Sequence, residues 1–253
     1  MPKTSDLAAN PYPSILLVGD GGSHKTHFVG TCPKPYIYDF DAGTAILREN
    51  KEAEYDRFKE VTDEKLINPE KGFYRKGTAW PAFISHINKH GEQLDKGTLP
   101  FRTLALDSLT TLADICMAYV LKSDGHVGNP QIQHWGSQIQ LLQAVMDQFS
   151  SWPVIKVVTA HIQRNTNEVN QQVEMLPLVT GKLAGKVGIY FDEVYFCGAV
   201  PDEKSPFGRK WTVTTAPTGM IKGAKSRYGV PSGTELTWEA IAPYVTGKKL
   251  KAV

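Results

Sequence analysis

Near the start of the chain runs Ile15-Leu16-Leu17-Val18-Gly19-Asp20-Gly21-Gly22-Ser23-His24-Lys25-Thr26, continued by His27, Phe28 and Val29. Four successive apolar residues predict a buried strand, and the residues after Thr26 open a helix. Between them lies a glycine-rich turn ending in Lys-Thr, the layout of a phosphate-binding P-loop, G-x-x-x-x-G-K-[ST]. Glycines let backbone N–H groups converge on a polyphosphate, and the helix N-terminus adds its positive dipole end. Lys25 would neutralise the β- and γ-phosphates, and the Thr26 hydroxyl would ligate Mg²⁺, which takes oxygen ligands. Gly19 to His27 are therefore the candidate ATP-binding residues. One position departs from the pattern: the sixth residue is His24 where glycine is usual. A side chain with a Cβ resists the angles glycine permits, although histidine tolerates positive φ better than most. The plain alternative is a strand-to-helix turn that binds nothing.

Working outward, Pro33 and Pro35 end the helix and launch a second strand, Tyr36-Ile37-Tyr38-Asp39-Phe40-Asp41, closed by Ala42-Gly43. Residues 48–78 are rich in charge and poor in period, which predicts a surface insertion that Phe58, Phe73 and Tyr74 could pin down. Trp80, Phe83, Ile84 and Ile87 predict a helix over about 78–94. Phe101 to Leu106 then read as a strand ending in Asp107-Ser108. An apolar strand that delivers a carboxylate to the carboxyl edge of a sheet suits the Mg²⁺ hydration shell, so Thr26 and Asp107 are the candidate metal residues. Ser108 or Thr110 can cap the following helix, 109–122, and leave Asp107 free.

Residues 123–137 read as a polar loop containing His126, His134 and Trp135, followed by a helix over 137–150. The two histidines lack carboxylate or cysteine neighbours in sequence, which argues against zinc. A strand over 154–159 ends in Ala160-His161, and 163–175 is polar without period, hence a long loop. Thr180 to Val187 predict a short helix. Asp192–Cys197 and Lys210–Thr215 predict a hairpin, Lys225-Ser226-Arg227-Tyr228-Gly229 a basic turn, and 238–244 a last helix. Alternating strands and helices around a P-loop predict an α/β fold: a mostly parallel central sheet, helices on both faces, and a C-terminal β-hairpin.

Composition excludes more than it asserts. With 253 residues, 41% hydrophobic and 21% charged, the chain fits one α/β domain. A net charge of +2 announces no global basic field, so nucleic acid would have to bind through local loops. Three scattered cysteines, Cys32, Cys116 and Cys197, form no disulfide framework, which points to the cytoplasm. Neither a membrane span nor a secretory signal is expected.

In order along the chain, Gly19–Thr26, Asp39-Phe40-Asp41, Leu106-Asp107-Ser108, Thr159-Ala160-His161 and Lys225–Gly229 resemble the RecA/RadA superfamily of P-loop ATPases. The chain is most similar to the phage RecA-like single-strand annealing proteins. The resemblance spans about 14–230, with 1–13 an arm and 231–253 a tail. It implies a RecA-like core, with Lys25 and Thr26 on phosphate and metal and Asp107 supporting Mg²⁺. It places Asp41 where a water-polarising glutamate is usual, a shorter side chain that implies slow hydrolysis, and His161 at the γ-phosphate sensor. It makes 123–137 and 163–175 DNA-binding loops, with Trp135, Arg164 and Asn165 as contacts. Lys225 and Arg227 become cations for the ATP of a neighbouring subunit, because they show no nearby acidic run to pair them.

The function implied is a DNA-dependent ATPase of recombination in an infected bacterial cytoplasm. It would bind single-stranded DNA as a ring or filament and promote annealing, with room for a single-strand DNA-binding protein as partner. Two other readings stay open: a helicase-like motor, and a nucleotide-gated scaffold that hardly turns ATP over.

Overall fold

Ser14–Val18 (β1) is buried at every position. A strand can be buried throughout only in a sheet covered on both faces. The computed structural model, which describes residues 12–61, 75–126, 128–166 and 171–246, shows such a sheet. Its further strands are β2 (Pro35–Asp39), β3 (Glu54–Arg57), β4 (Thr103–Asp107), β5 (Ile155–Ala160), β8 (Glu193–Pro201), β9 (Arg209–Thr214) and β10 (Lys225–Ser226). The order is β10-β8-β1-β5-β4-β2-β3, with β9 paired to β8. From β8 to β3 every pairing is parallel, and β9 and β10 run antiparallel to β8. Strand β5 thus separates the P-loop strand from the strand that ends in Asp107. This is the RecA-like P-loop arrangement, and β8–β9 supplies the expected hairpin.

The two-residue period of β1 divides the core. Leu16 and Val18 join the cluster under α2 (Ala79–Asp95), α3 (Leu109–Ser123) and α4 (Ile132–Ser151). Ile15 and Leu17 join Phe28 and Val29 of α1 (Lys25–Thr31) with Ile241 and Val245 of α5 (Trp238–Val245). Ser108 does cap α3, accepting from Thr111 N–H.

Four expectations change. The charged stretch after 48 contains an edge strand, because β3 pairs in parallel with β2 while exposing all four residues. Charge on an edge strand deters pairing with other chains, and the same charge hides the strand from a periodicity reading. Phe58 is buried as anticipated, whereas Phe73 and Tyr74 lie outside the described residues. Residues 163–175 form a hairpin, β6 (Ile162–Thr166) with β7 (Val173–Pro177), in its own two-stranded sheet; residues 167–170 lie outside the description. Helix α4 begins at Ile132, so Trp135 lies on a helix and not on a loop. Gln131 accepts from the His134 backbone and the His134 ring engages the Gln131 N–H, a reciprocal cap that starts the helix early. Thr180 to Val187 give 3-10 turns, Gly181–Leu183 and Val187–Tyr190. Of the arm, only Tyr12 and Pro13 are described; of the tail, 231–246.

Candidate nucleotide-binding site

β1 delivers the glycine-rich turn to the carboxyl edge of the sheet, and α1 starts at Lys25. The sequence places a residue with a Cβ where the turn needs a left-handed backbone: His24 has φ 64° and ψ 21°. Its imidazole lies flat on the Trp211 indole of β9, with centroids 3.3 Å apart and planes 12° apart. The indole Nε1 donates to the Gly22 carbonyl at 3.2 Å. A strand nearly two hundred residues away therefore braces the irregular position. Burial, and then neighbouring His27, hold the His24 pKa below its ordinary value.

Lys25 is buried and its ammonium is turned onto the loop. It donates to Gly19 O at 2.8 Å, Asp20 O at 2.9 Å and Ser23 Oγ at 3.1 Å. Burial lowers its pKa, opposed by the neighbouring Cys197, Asp107, Asp41 and Asp20.

Thr26 Oγ1 donates to Asp107 Oδ2 at 2.6 Å, and Thr159 Oγ1 donates to Asp107 Oδ1. Asp107 is therefore not free but oriented by two hydroxyls. Burial raises its pKa, so its charged form is short of compensation. Gly43 passes so close that a Cβ there would lie 3.3 Å from Thr26 Oγ1 and 3.8 Å from Asp107 Oδ2. The donor set fits Mg²⁺, which takes one or two protein oxygens and completes its shell with water and phosphate. No cluster of three or more histidine, cysteine or acidic ligands occurs among the described residues, so a cage made of protein alone is not what the site offers.

Asp41 lies just beyond β2, which ends at Asp39. Its Oδ2 accepts from His161 Nε2 at 3.1 Å, so the two residues assigned to water and sensor positions meet. Burial pushes the Asp41 pKa up, but hydrogen bonds from His161, Thr111 and Ser108 outweigh it and hold the carboxyl below its ordinary value. Asp39, fully buried, accepts from Gly43 N–H, Thr44 Oγ1 and Arg57 Nε at 3.2, 2.8 and 3.1 Å. That ties the turn Gly43–Leu47 down beside Thr26. Residues Gly21 to His27, Asp41, Gly43, Ile46, Asp107 and His161 line one cleft of about 240 Å³. A larger cleft, about 650 Å³, opens near the starts of β4 and β5, and among the described residues Arg102 is its one charged lining residue.

Arg164, expected on DNA, pairs with the loop: its guanidinium donates to Asp20 Oδ2 at 2.8 Å. Asn165 is exposed on the same strand. Trp135 borders a second cleft, about 270 Å³, with Arg75, Lys122 and His126. The expectation that Lys225 and Arg227 lack partners is overturned. Lys225 Nζ donates to Gly188 O at 2.8 Å and Phe191 O at 2.5 Å. Arg227 donates from its side chain to Asp192 Oδ1 at 2.9 Å and from its backbone to Glu193 Oε1 at 2.7 Å. The acidic pair sits more than thirty residues back in sequence and is brought alongside by β8–β10 pairing. Ser226 registers with Glu193, and Glu193 with Ile15, so these cations lie at the start of β1, away from their own P-loop.

Sequence reasoning missed Thr159, Gly43, Arg57 and Trp211. Thr159 stood two positions before flagged His161, in a motif that assigned it no role; the others carry no local signal, since their roles come from strand neighbours and a returning hairpin.

Among solved structures, the flagellar accessory protein FlaH from Methanocaldococcus jannaschii is similar at a TM-score of 0.33 and 7% identity, covering 87% of this chain and 88% of that chain. No curated protein matches in sequence. No helix among the described residues is long and apolar enough to cross a membrane. The family model described as "AAA domain" matches residues 12–228. With its P-loop, oriented Asp107 and RecA-like strand order, the chain belongs to the AAA domain family of P-loop NTPases.

Proposed function

We propose that this chain is a Mg²⁺-dependent, ATP-binding recombination protein that binds single-stranded DNA and promotes annealing, with ATP binding or slow, DNA-dependent hydrolysis controlling assembly. The observation that carries the nucleotide half is the joint placement of Lys25, the Thr26–Asp107 pair and the Asp41–His161 pair around one cleft. Phosphoryl transfer needs a cradle, a metal site, a water-orienting group and a γ-phosphate contact. The DNA half draws support from the second cleft. Trp135 offers an exposed stacking face, and Arg75 and Lys122 offer cations to backbone phosphates. In a homo-oligomer, ring or filament, Arg227 would exchange Asp192 for the nucleotide of a neighbour.

One observation favours a second reading, a nucleotide-gated scaffold. Asp41 is short and already engaged by His161, so it orients water poorly unless that bond opens.

The test is calorimetric titration with Mg·ATP, followed by single-stranded DNA binding and oligonucleotide annealing. Lys25→Ala is expected to lose most ATP affinity, because charge-assisted phosphate contacts are the strong kind. Trp135→Ala is expected to weaken DNA binding with ATP affinity intact. Unchanged ATP affinity in Lys25→Ala sinks the nucleotide reading. Absence of DNA binding with and without ATP sinks the recombination reading, and DNA-stimulated turnover sinks the scaffold.

A further inference from the structure

A carboxylate is an odd member of a loop that binds a polyanion, and this loop has one at its second position, Asp20. Two cations share that residue. Lys25 Nζ donates to its backbone oxygen at 2.9 Å, and Arg164 donates to its carboxylate at 2.8 Å. Arg164 reaches it from β6. Side chains on a strand alternate, so Arg164 shares a face with Ile162, which packs on the core, and from that face its half-exposed side chain reaches Asp20. The base of the β6–β7 hairpin is fixed beside the cleft. The His161 N–H donates to Thr110 Oγ1 at 2.9 Å, Thr110 Oγ1 donates to Leu178 O at 2.8 Å, and the Leu178 N–H donates to His161 O at 2.7 Å. The hairpin therefore springs from His161, which lines the cleft together with Asp41 and Asp107.

We propose that Arg164 is a second phosphate-binding cation of the nucleotide site, supplied from within the chain and parked on Asp20 until a triphosphate draws it over. The inference rests on the reading of Gly19–Thr26 as the nucleotide loop. Lys25 meets the same residue, its ammonium donating to the Asp20 carbonyl, so the two cations converge on one point of the loop. The Arg164–Asp20 pair is about half exposed on both sides, and such pairs hold weakly, so the exchange costs little. The guanidinium is planar and presents several donors, which suits a terminal phosphate. Asp20 neutralises Arg164 in the free protein and repels the incoming phosphates. Because Arg164 is carried by the hairpin, its transfer would tie the hairpin's position to the presence of the γ-phosphate.

The experiment is calorimetric titration of the full chain, wild type and variants, with Mg·ATP and Mg·ADP separately. Arg164→Ala is expected to weaken ATP binding about tenfold and ADP binding less than twofold, the scale of one charge-assisted contact to the γ-phosphate. Arg164→Lys should recover part of the loss. Asp20→Asn should tighten ATP, since it removes a like charge and frees the guanidinium. Equal weakening of both nucleotides by Arg164→Ala, or none, overturns the proposal. So does a loss confined to nucleotide-free single-stranded DNA binding, which would return Arg164 to DNA. If Lys25→Ala loses both nucleotides while Arg164→Ala loses neither, this inference fails alone. If folded wild type binds neither, the nucleotide reading fails and takes this one with it.

Discussion

His24 occupies a position whose backbone is left-handed and whose ring is clamped under Trp211. The backbone demand and the ring contact can be separated. His24→Gly keeps the conformation and is expected to hold ATP affinity within a few-fold. His24→Val puts a β-branched residue at positive φ, and is expected to cost about 1–3 kcal/mol in urea unfolding and to weaken ATP binding as well. Gly43 makes the complementary case. Its φ is not in the left-handed region, so Gly43→Ala should leave stability within about 1 kcal/mol. The added Cβ crowds Thr26 Oγ1 and Asp107 Oδ2, so the Mg²⁺ concentration needed for ATP binding should rise. A magnesium titration at fixed ATP reads it, and an unchanged midpoint rejects the crowding argument. At this scale the candidate site was legible where short segments mark it, and Lys25, Thr26, Asp107 and His161 do line one cleft. It was opaque where a role is shared between distant segments. Arg227 looked unpaired because Asp192 is 35 positions away, and the Arg164 contact with Asp20 went unseen because the two are 144 positions apart.

Elements were legible when one face is apolar. Helices α2 and α3 and strands β1, β4 and β5 bury periodic or continuous apolar residues, and their types follow from that. The β6–β7 hairpin buries little, so alternation is masked by polar residues and only the pairing reveals it. The α4 start was obscured for a different reason: its cap uses Gln131 and His134 where serine, threonine or aspartate are usual. Helix α5 has only eight residues with Pro243 inside, yet it is no loose tail. Its first N–H donates to Thr31 Oγ1 at 2.9 Å, and fully buried Ile241 packs in the cluster holding Phe28 and Val29. Ile241→Ala is expected to cost about 2–5 kcal/mol, measured by urea unfolding. A loss under about 1 kcal/mol would show that α5 docks without supporting α1.

Across the whole molecule, one buried polar pair should set the acid limit. Tyr38 and His90 share a 2.5 Å hydrogen bond between β2 and α2, and both side chains are buried. Burial, and then His86 and Lys89, depress the His90 pKa to about 4. The unfolded chain, with His90 near its ordinary 6.5, binds the proton more readily than the native state between those values. The contribution is therefore complete above pH 6.5 and is lost as pH falls towards 4. Melting temperature should drop across that window, and His90→Phe should flatten the drop; an equally steep fall in the variant would assign the acid limit elsewhere. The position of β1 also fixes an order of events during synthesis. β1 lies between β5 and β8, whose residues come about 140 and 180 positions later in the chain. Trp211, which braces the phosphate loop, comes later still. At translation speeds of about 5–20 residues per second, the first strand waits on the order of tens of seconds for its neighbours. A nascent chain released early holds the complete Gly19–Thr26 motif but no sheet around it, and it should have no nucleotide site at all.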